Sequence, residues 1–524
     1  MLINLLIDLN NTKDKNVHFS VGKSRNMLSN LKHFLKHSLV YGISNVATKA
    51  TGVILLPLYS SFLTLTEFGI LGILEITIAI FTEIINLGMG PALVMLSSLS
   101  EFKDKKKSAL FTIFSISFSL CVIFLLVSHF IIPQIAEYFG DSTKFNLYFE
   151  LISGIIFLRV LNNIFNDKLR ADEKSIVFST INFSKLVITL GLTIYFVAFL
   201  KRGVAGVLYS YIIGESLTFL AFIPIMVPKA TLKFDKEIAS TAVKFGLPLI
   251  FGSISMLILN ISDRYILKYF SGYAVQGLYD LGYRLAGVLN MFFIMPLSMA
   301  LMPIAYKAFR QKGDKRYFSK LMTYFVLVLT WAGLALSMFS KEILHLFALN
   351  PSYWPAYQVV PIIVFSYIFF GMRLISNLGM YLTKNTKYVA FITAVAAVLN
   401  AILNFIFIPK FGMIAAAYST LISFIVLYIL SEHFAAKYYR IPFENRKLAL
   451  VISLGVILYI VSTIFKVGLF TEIFIKIIIL FVFPFILYTL NFYEDVEIIA
   501  IKGFYNKWKN PSSWRSNIKE EFRK

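Results

Sequence analysis

Four basic residues stand inside long apolar runs of this sequence: Lys49, Arg159, Lys185 and Arg373. Three acids do the same, Glu75, Glu83 and Glu215, and Asp280 lies four residues before Arg284 in another run. A charge in a hydrocarbon environment costs about 2.5–3.5 kcal/mol or more, so each needs a partner or a role. The cations suit an anionic group such as a pyrophosphate, because a guanidinium offers paired donors to phosphate oxygens. The acids suit a coupling ion, since a membrane carboxylate takes up a proton or helps to bind Na⁺. A plainer arrangement pairs those cations with those acids. Asp280 and Arg284, on one helix face, read as such a structural pair. Asp263 and Arg264 read as anchors at the end of a span, and Lys476 as a side chain that snorkels.

The elements that carry these charges follow from composition. Of 524 residues, 58% are apolar, 16% aromatic and only 15% charged. A soluble domain carries about 25% charged residues. The balance excludes an average soluble enzyme, a disordered chain and a disulfide scaffold. A spanning helix needs about 20 mostly apolar residues, and fourteen such stretches can be drawn between residues 38 and 492. The expected fold class is therefore an all-α polytopic membrane protein.

The net charge of +22 fits the same reading. With the N-terminus inside, 36 of the 50 Lys and Arg fall in inner segments and 8 in outer loops. Basic residues concentrate in cytoplasmic loops, so both termini are expected in the cytoplasm and nucleic acid is not an expected partner. The outer loops are at most about 16 residues long, too short for an extramembrane catalytic domain. The sequence has no His-Glu-x-x-His, Walker loop or Gly-x-Ser-x-Gly, and its single Cys121 lies in an apolar run. No enzyme activity, metal or cofactor is expected. Met27 is a candidate native start, because the first apolar stretch begins only near residue 38.

An internal repeat organises the spans. Lys201, Gly203, Tyr209 and Ser210 recur as Lys410, Gly412, Tyr418 and Ser419, 209 residues later. Phe62 and Gly69 match Phe270 and Gly277 at 208, and Arg159 falls near Arg373 at a similar offset. That separation covers six spans. An even number preserves orientation, so the halves are parallel repeats about an axis along the membrane normal, an arrangement transporters use. The expected segments are a basic N-tail (1–37), a six-helix bundle (38–227), a linker (228–244), a second six-helix bundle (237–436), a terminal helix pair (448–492) and a basic C-tail (493–524).

Residues 36–73, from KHSLVYGISNVATKATG to FGILGI, and residues 262–287, SDRYILKYFSGYAVQGLYDLGYRLAG, resemble Wzx-type polysaccharide or O-antigen flippases. The Lys-Phe-Gly-x5-Tyr-Ser segment at 410–419 is shared more loosely. The resemblance implies the multidrug/oligosaccharidyl-lipid/polysaccharide exporter superfamily, with two MATE-like six-helix bundles in a V and often fourteen helices. It implies movement of undecaprenyl-pyrophosphate-linked oligosaccharide across the bacterial cytoplasmic (inner) membrane by alternating access. The product would be O-antigen, capsule or exopolysaccharide, with a polymerase and glycosyltransferases as partners. Basic residues lining a central cavity are a theme of that family, and Lys49, Arg159, Lys185 and Arg373 are the residues expected to supply it here. A peptidoglycan-precursor flippase and a drug or cation exporter of the same fold are the alternatives. Four cations inside weigh against a cation exporter.

Overall fold

A computed structural model of the chain describes residues 55–139, 141–309, 311, 313–464, 468–495, 497–499 and 509. All of its described elements are helical. The first is α1 (Leu56–Phe62), followed after one tight turn by α2 (Leu65–Asn86). Thr64 and Glu67 form a capping box that starts α2: the Thr64 hydroxyl accepts from the Glu67 N–H at 3.2 Å, and Glu67 accepts from the Thr64 N–H at 2.8 Å. This pair satisfies two of the donors that a helix start leaves open. Leu87 and Gly88, both with left-handed backbone (φ 46 and φ 66), separate α2 from α3 (Met89–Ser98). Then come α4 (Lys106–Phe139), α5 (Ser142–Ala171), α6 (Ser175–Ile194) and α7 (Gly203–Met226).

The second half of the chain opens with α8 (Lys236–Ala286) and continues through a π-helical turn at Asn290–Ile294 into α9 (Met295–Ala308). There follow α10 (Asp314–Met338), the short α11 (Ser340–Phe347), α12 (Val360–Ser376), α13 (Leu378–Leu382) and α14 (Lys387–Tyr438). The last of the described elements are α15 (Asn445–Ile464) and α16 (Leu469–Thr489).

Among the described residues, eleven helices are long and apolar enough to cross a membrane, against fourteen expected. Two causes account for the difference. Most of the first expected stretch lies outside the described residues. In addition, α8 has 51 residues and α14 has 52, and each is interrupted by one non-helical glycine, Gly272 (φ 80) and Gly412 (φ 55). The run counted as one from Lys236 passes through α8 and α9 to Tyr306, 71 residues, and α14 has 52. At about 1.5 Å per residue each is over twice the thickness of a hydrocarbon core and long enough for two spans. Only glycine takes such a φ without strain. Gly412 belongs to the repeated motif, and its counterpart Gly203 has the same φ of 55 at the start of α7. The motif is thus the signature of a sharp reversal, and in both copies its serine, Ser210 or Ser419, is buried.

The chain divides into two compact units. In the described residues the larger comprises α1 to α9 and α11 to α14. One of its cores joins Leu93 and Leu96 of α3 to Ile113 of α4, Ile164 of α5, Phe222 of α7 and Ile238 of α8. Another joins Leu259 of α8 to Ala396, Phe424 and Leu427 of α14. The smaller unit comprises α10, α15 and α16. There the Trp331 indole N–H donates to the Leu480 carbonyl at 3.0 Å. Lys476, expected to snorkel, is instead buried and paired with Glu472 one turn earlier at 2.8 Å. Cys121 is buried in α4 as a free thiol.

Candidate functional site

Helical spacing builds three polar stripes in the larger unit. On α5, Arg159, Asn162, Asn163 and Asn166 follow the i, i+3, i+4, i+7 pattern of one face. On α6, Asn182, Lys185, Leu186 and Thr189 follow the same pattern, and on α7 Tyr211 and Glu215 are one turn apart. The stripes converge on a cavity of about 600 Å³ that also receives Tyr59 of α1, Glu75 of α2, Tyr283 and Arg284 of α8, and Tyr367 of α12.

At one wall Glu215 is fully buried and is shared by two cations. Its Oε1 accepts from Arg159 Nε at 2.8 Å and from Lys185 Nζ at 2.6 Å. Its Oε2 accepts from Asn162 Nδ2 at 2.9 Å, and the same amide donates to the Glu215 main-chain carbonyl at 3.0 Å. With all three side chains ionised, two cations face one acid, an excess of +1.

At the other wall runs a longer network. Tyr211 donates to Glu75 Oε1 at 2.6 Å, and Arg284 Nη2 donates to Glu75 Oε2 at 2.6 Å. Arg284 Nε meets Asp280 Oδ2 at 2.6 Å, and Arg264 Nε meets Asp280 Oδ1 at 2.9 Å. Arg264 also contacts Asp263, to which Tyr279 donates at 2.5 Å. Two cations face three acids here. The two walls together balance, four cations against four acids, and the local excess of cations sits at Glu215.

Asp263 and Arg264 correct an expectation. They are buried, at 0% and 6% exposure, where a surface anchor was expected. The cause is that α8 runs on as helix to Gly272, which places both residues more than two turns inside its end.

The structure brings together Arg159, Lys185, Glu75 and Glu215 of the residues singled out by sequence, and adds Arg284 to the cavity lining. Asp280 holds Arg284 from behind. Arg373 and Glu83 do not line this cavity. Arg373 lies over the Phe370 ring, 4.6 Å from its centroid. Lys49 lies outside the described residues. The asparagines of α5 and α6 were not singled out as site residues, although their shared face with Arg159 and Lys185 was readable from spacing alone.

Comparison with known proteins gives this site a context. Residues 34–309, more than half of the chain, match the model of a family described as polysaccharide biosynthesis protein. The chain belongs to this family. Residues 248–406 match the MatE family. The chain is 25% identical over 404 residues to an uncharacterized membrane protein of Methanocaldococcus jannaschii, covering 72% of this chain and 78% of the relative.

Among solved structures, it is similar to the Lipid II flippase MurJ in an inward closed conformation. The TM-score is 0.70 at 17% identity, over 86% of this chain and 99% of that one. It is also similar to an inward-facing multidrug resistance MATE transporter, with TM-score 0.61 at 14% identity over 78% and 96%. A Pyrococcus furiosus transporter of the same superfamily, whose binding pocket is described as of reverse polarity, gives 0.60 at 15% over 80% and 96%. The fold is thus the one shared by these transporters and flippases of the multidrug/oligosaccharidyl-lipid/polysaccharide superfamily. The chain is a multi-pass membrane protein with that fold.

Proposed function

We propose that this family member is a flippase for undecaprenyl-pyrophosphate-linked oligosaccharide, working by alternating access in the cytoplasmic (inner) membrane during O-antigen, capsule or exopolysaccharide assembly. The observation that carries this reading is the pair Arg159 and Lys185, two cations on neighbouring helices with one carboxylate between them. Their excess charge in a cavity walled by amides and phenols suits a pyrophosphate with sugars attached. Arg284 adds a third cation across the cavity, and Lys49 and Arg373 are retained as candidate contacts along the path. Asn163, the Asn166 amide nitrogen and the Asn182 amide oxygen are offered to sugar hydroxyls, the Asn182 nitrogen being engaged by Asn166 and the Phe178 carbonyl. Glu83 is the candidate coupling acid, since Glu75 and Glu215 are engaged by cations. The distribution of Lys and Arg supports both termini in the cytoplasm. Sugar transferases that make the substrate and a polymerase that consumes it are the expected partners.

Complementation tests the proposal. The gene is placed, with the sugar-transferase genes beside it, in a bacterium lacking its own polysaccharide flippase, and surface polymer is assayed. Restoration that is abolished by Arg159→Ala at normal protein levels is expected. No restoration, with the protein inserted and lipid-linked substrate present, contradicts the proposal and favours a peptidoglycan precursor or a drug as cargo.

A further inference from the structure

We infer that Glu215 is a resident anion: it occupies the phosphate subsite while that subsite is empty and yields Arg159 and Lys185 to the incoming headgroup. This rests on the flippase reading above. The two carboxylate oxygens are held differently. Oε2 is fixed by a neutral amide, Asn162 Nδ2, at 2.9 Å, while Oε1 alone holds both cations, at 2.8 Å and 2.6 Å. The carboxylate is anchored from behind, so it stays in place when the cations turn away. The Glu215 side chain is 0% exposed, whereas those of Arg159 and Lys185 are 31% and 27% exposed. All three residues border the cavity. Only Nε of Arg159 is committed to Glu215, and the two terminal nitrogens of its planar fork are suited to a bidentate phosphate contact.

The physical need for such a group is twofold. Two neighbouring cations in a low-dielectric site repel each other and are costly to keep ionised without a counter-charge. A transporter must also release what it binds, so attraction to the ligand has to be matched by something that takes the ligand's place. Glu215 meets both needs. It neutralises half of the pair in the empty state, and its single charge yields to a pyrophosphate of higher charge. The same carboxylate re-forms its two contacts as the headgroup leaves. On this account Glu215 weakens substrate binding and speeds release.

The test uses full-length protein in lipid nanodiscs, with inorganic pyrophosphate as the probe in calorimetry. Glu215→Gln keeps the shape and one acceptor oxygen but removes the competing charge. It is expected to bind pyrophosphate at least about tenfold more tightly than the unaltered chain. Undecaprenyl pyrophosphate incorporated in the disc lipid is expected to show the same gain, which identifies a lipid headgroup as the ligand. A gain confined to inorganic pyrophosphate would instead identify a free anion. Glu215→Asp, which keeps the charge on a shorter stem, covers the case in which the glutamine variant does not fold. It is expected to bind with intermediate affinity. If the unaltered chain binds and both folded variants bind equally or less tightly, Glu215 is only an organiser of the cations and the inference is wrong. If the unaltered chain, both variants and Arg159→Ala all fail to bind pyrophosphate, the anion-site reading falls and the inference with it.

Discussion

Gly69 and Gly277, 208 residues apart, lie against each other: a Cβ added to Gly277 would stand 3.1 Å from the Gly69 nitrogen and 3.2 Å from its Cα. The two are counterparts in the internal repeat. An axis along the membrane normal relates counterparts at equal depth, so those nearest the axis meet across it. Six residues along α2 and seven along α8, Glu75 and Arg284, 209 apart, are joined by an ion pair of 2.6 Å. The two halves of the repeat therefore touch along α2 and the second part of α8, and they need glycine to do so.

That seam is sensitive to one methyl group. A Cβ on Gly69 would lie 1.9 Å from the Tyr273 carbonyl oxygen, a backbone atom that cannot swing away. Gly69→Ala is expected to lower stability by about 1–3 kcal/mol, the usual range for overpacking. Gly191→Ala, with nothing within 4 Å of its Cβ, is the control and is expected to be neutral or slightly stabilising. Thermal unfolding of the purified proteins checks both.

Beside the seam, Gln276 is 0% exposed, and neither its Nε2 nor its Oε1 has a hydrogen-bond partner among the described residues. An unsatisfied buried amide costs about 1–3 kcal/mol. Gln276→Met keeps the length and removes the polar atoms, so it is expected to raise the unfolding temperature. If the seam opens in each transport cycle, the same change slows transport, because the closed form gains most. A stability gain without slower transport would show that the seam stays shut.

Arg284 serves two acids at once, Asp280 and Glu75, each at 2.6 Å. Arg284→Ala leaves both without this partner and is expected to cost about 3–5 kcal/mol. Adding Glu75→Gln to it is expected to restore part of that loss, with a coupling of about 1–3 kcal/mol in a double-mutant cycle.

Much of this was legible in the sequence, for identifiable reasons. The spans were legible because apolar runs of membrane length have few other uses. The repeat was legible through Gly203 and Gly412, whose left-handed backbone admits little else. Arg159 and Lys185 were legible because charge within such runs is rare. That they pair with the acids was also readable as the plainer arrangement, but which partners meet was not. Arg159 and Glu215 are 56 positions apart, and Glu75 and Arg284 are 209 apart. Which of them meet depends on how each helix is rotated about its own axis, and no local pattern records that. Asp263 was misplaced because the turn that ends its helix is a single residue, Gly272, set among residues that are otherwise helical.

In the smaller unit, Lys320 gathers Glu444 at 2.9 Å and Glu494 at 2.5 Å. Lys320 holds the Glu494 carboxyl below the ordinary glutamate range. Burial raises that of Glu444, but Lys320 and the Thr323 hydroxyl outweigh it and the net direction is also down. A depressed folded-state pKa contributes stability that is present above the unfolded value of about 4.3 and is lost as pH falls through the lower folded value. The contacts of Glu444 and Glu494 with Lys320 are therefore expected to hold at neutral pH and to loosen progressively below about pH 4.3. Lys320→Met should shrink that acid-dependent step, with Lys447, 3.7 Å from Glu444 and 3.4 Å from Glu494, retaining the rest. Hydrogen exchange of residues 494–499 against pH, in both proteins, measures it.

The central claim is that Arg159 and Lys185 carry a pyrophosphate-linked headgroup across the membrane. Its most direct test is transport by the purified protein in proteoliposomes loaded with fluorescent undecaprenyl-pyrophosphate oligosaccharide, read by quenching from outside. Flipping by the unaltered chain that falls at least about tenfold in Arg159→Ala and Lys185→Met, each folded and inserted, is the predicted result. Flipping that survives loss of both cations, or none by the folded unaltered chain under any imposed ion gradient, would contradict it.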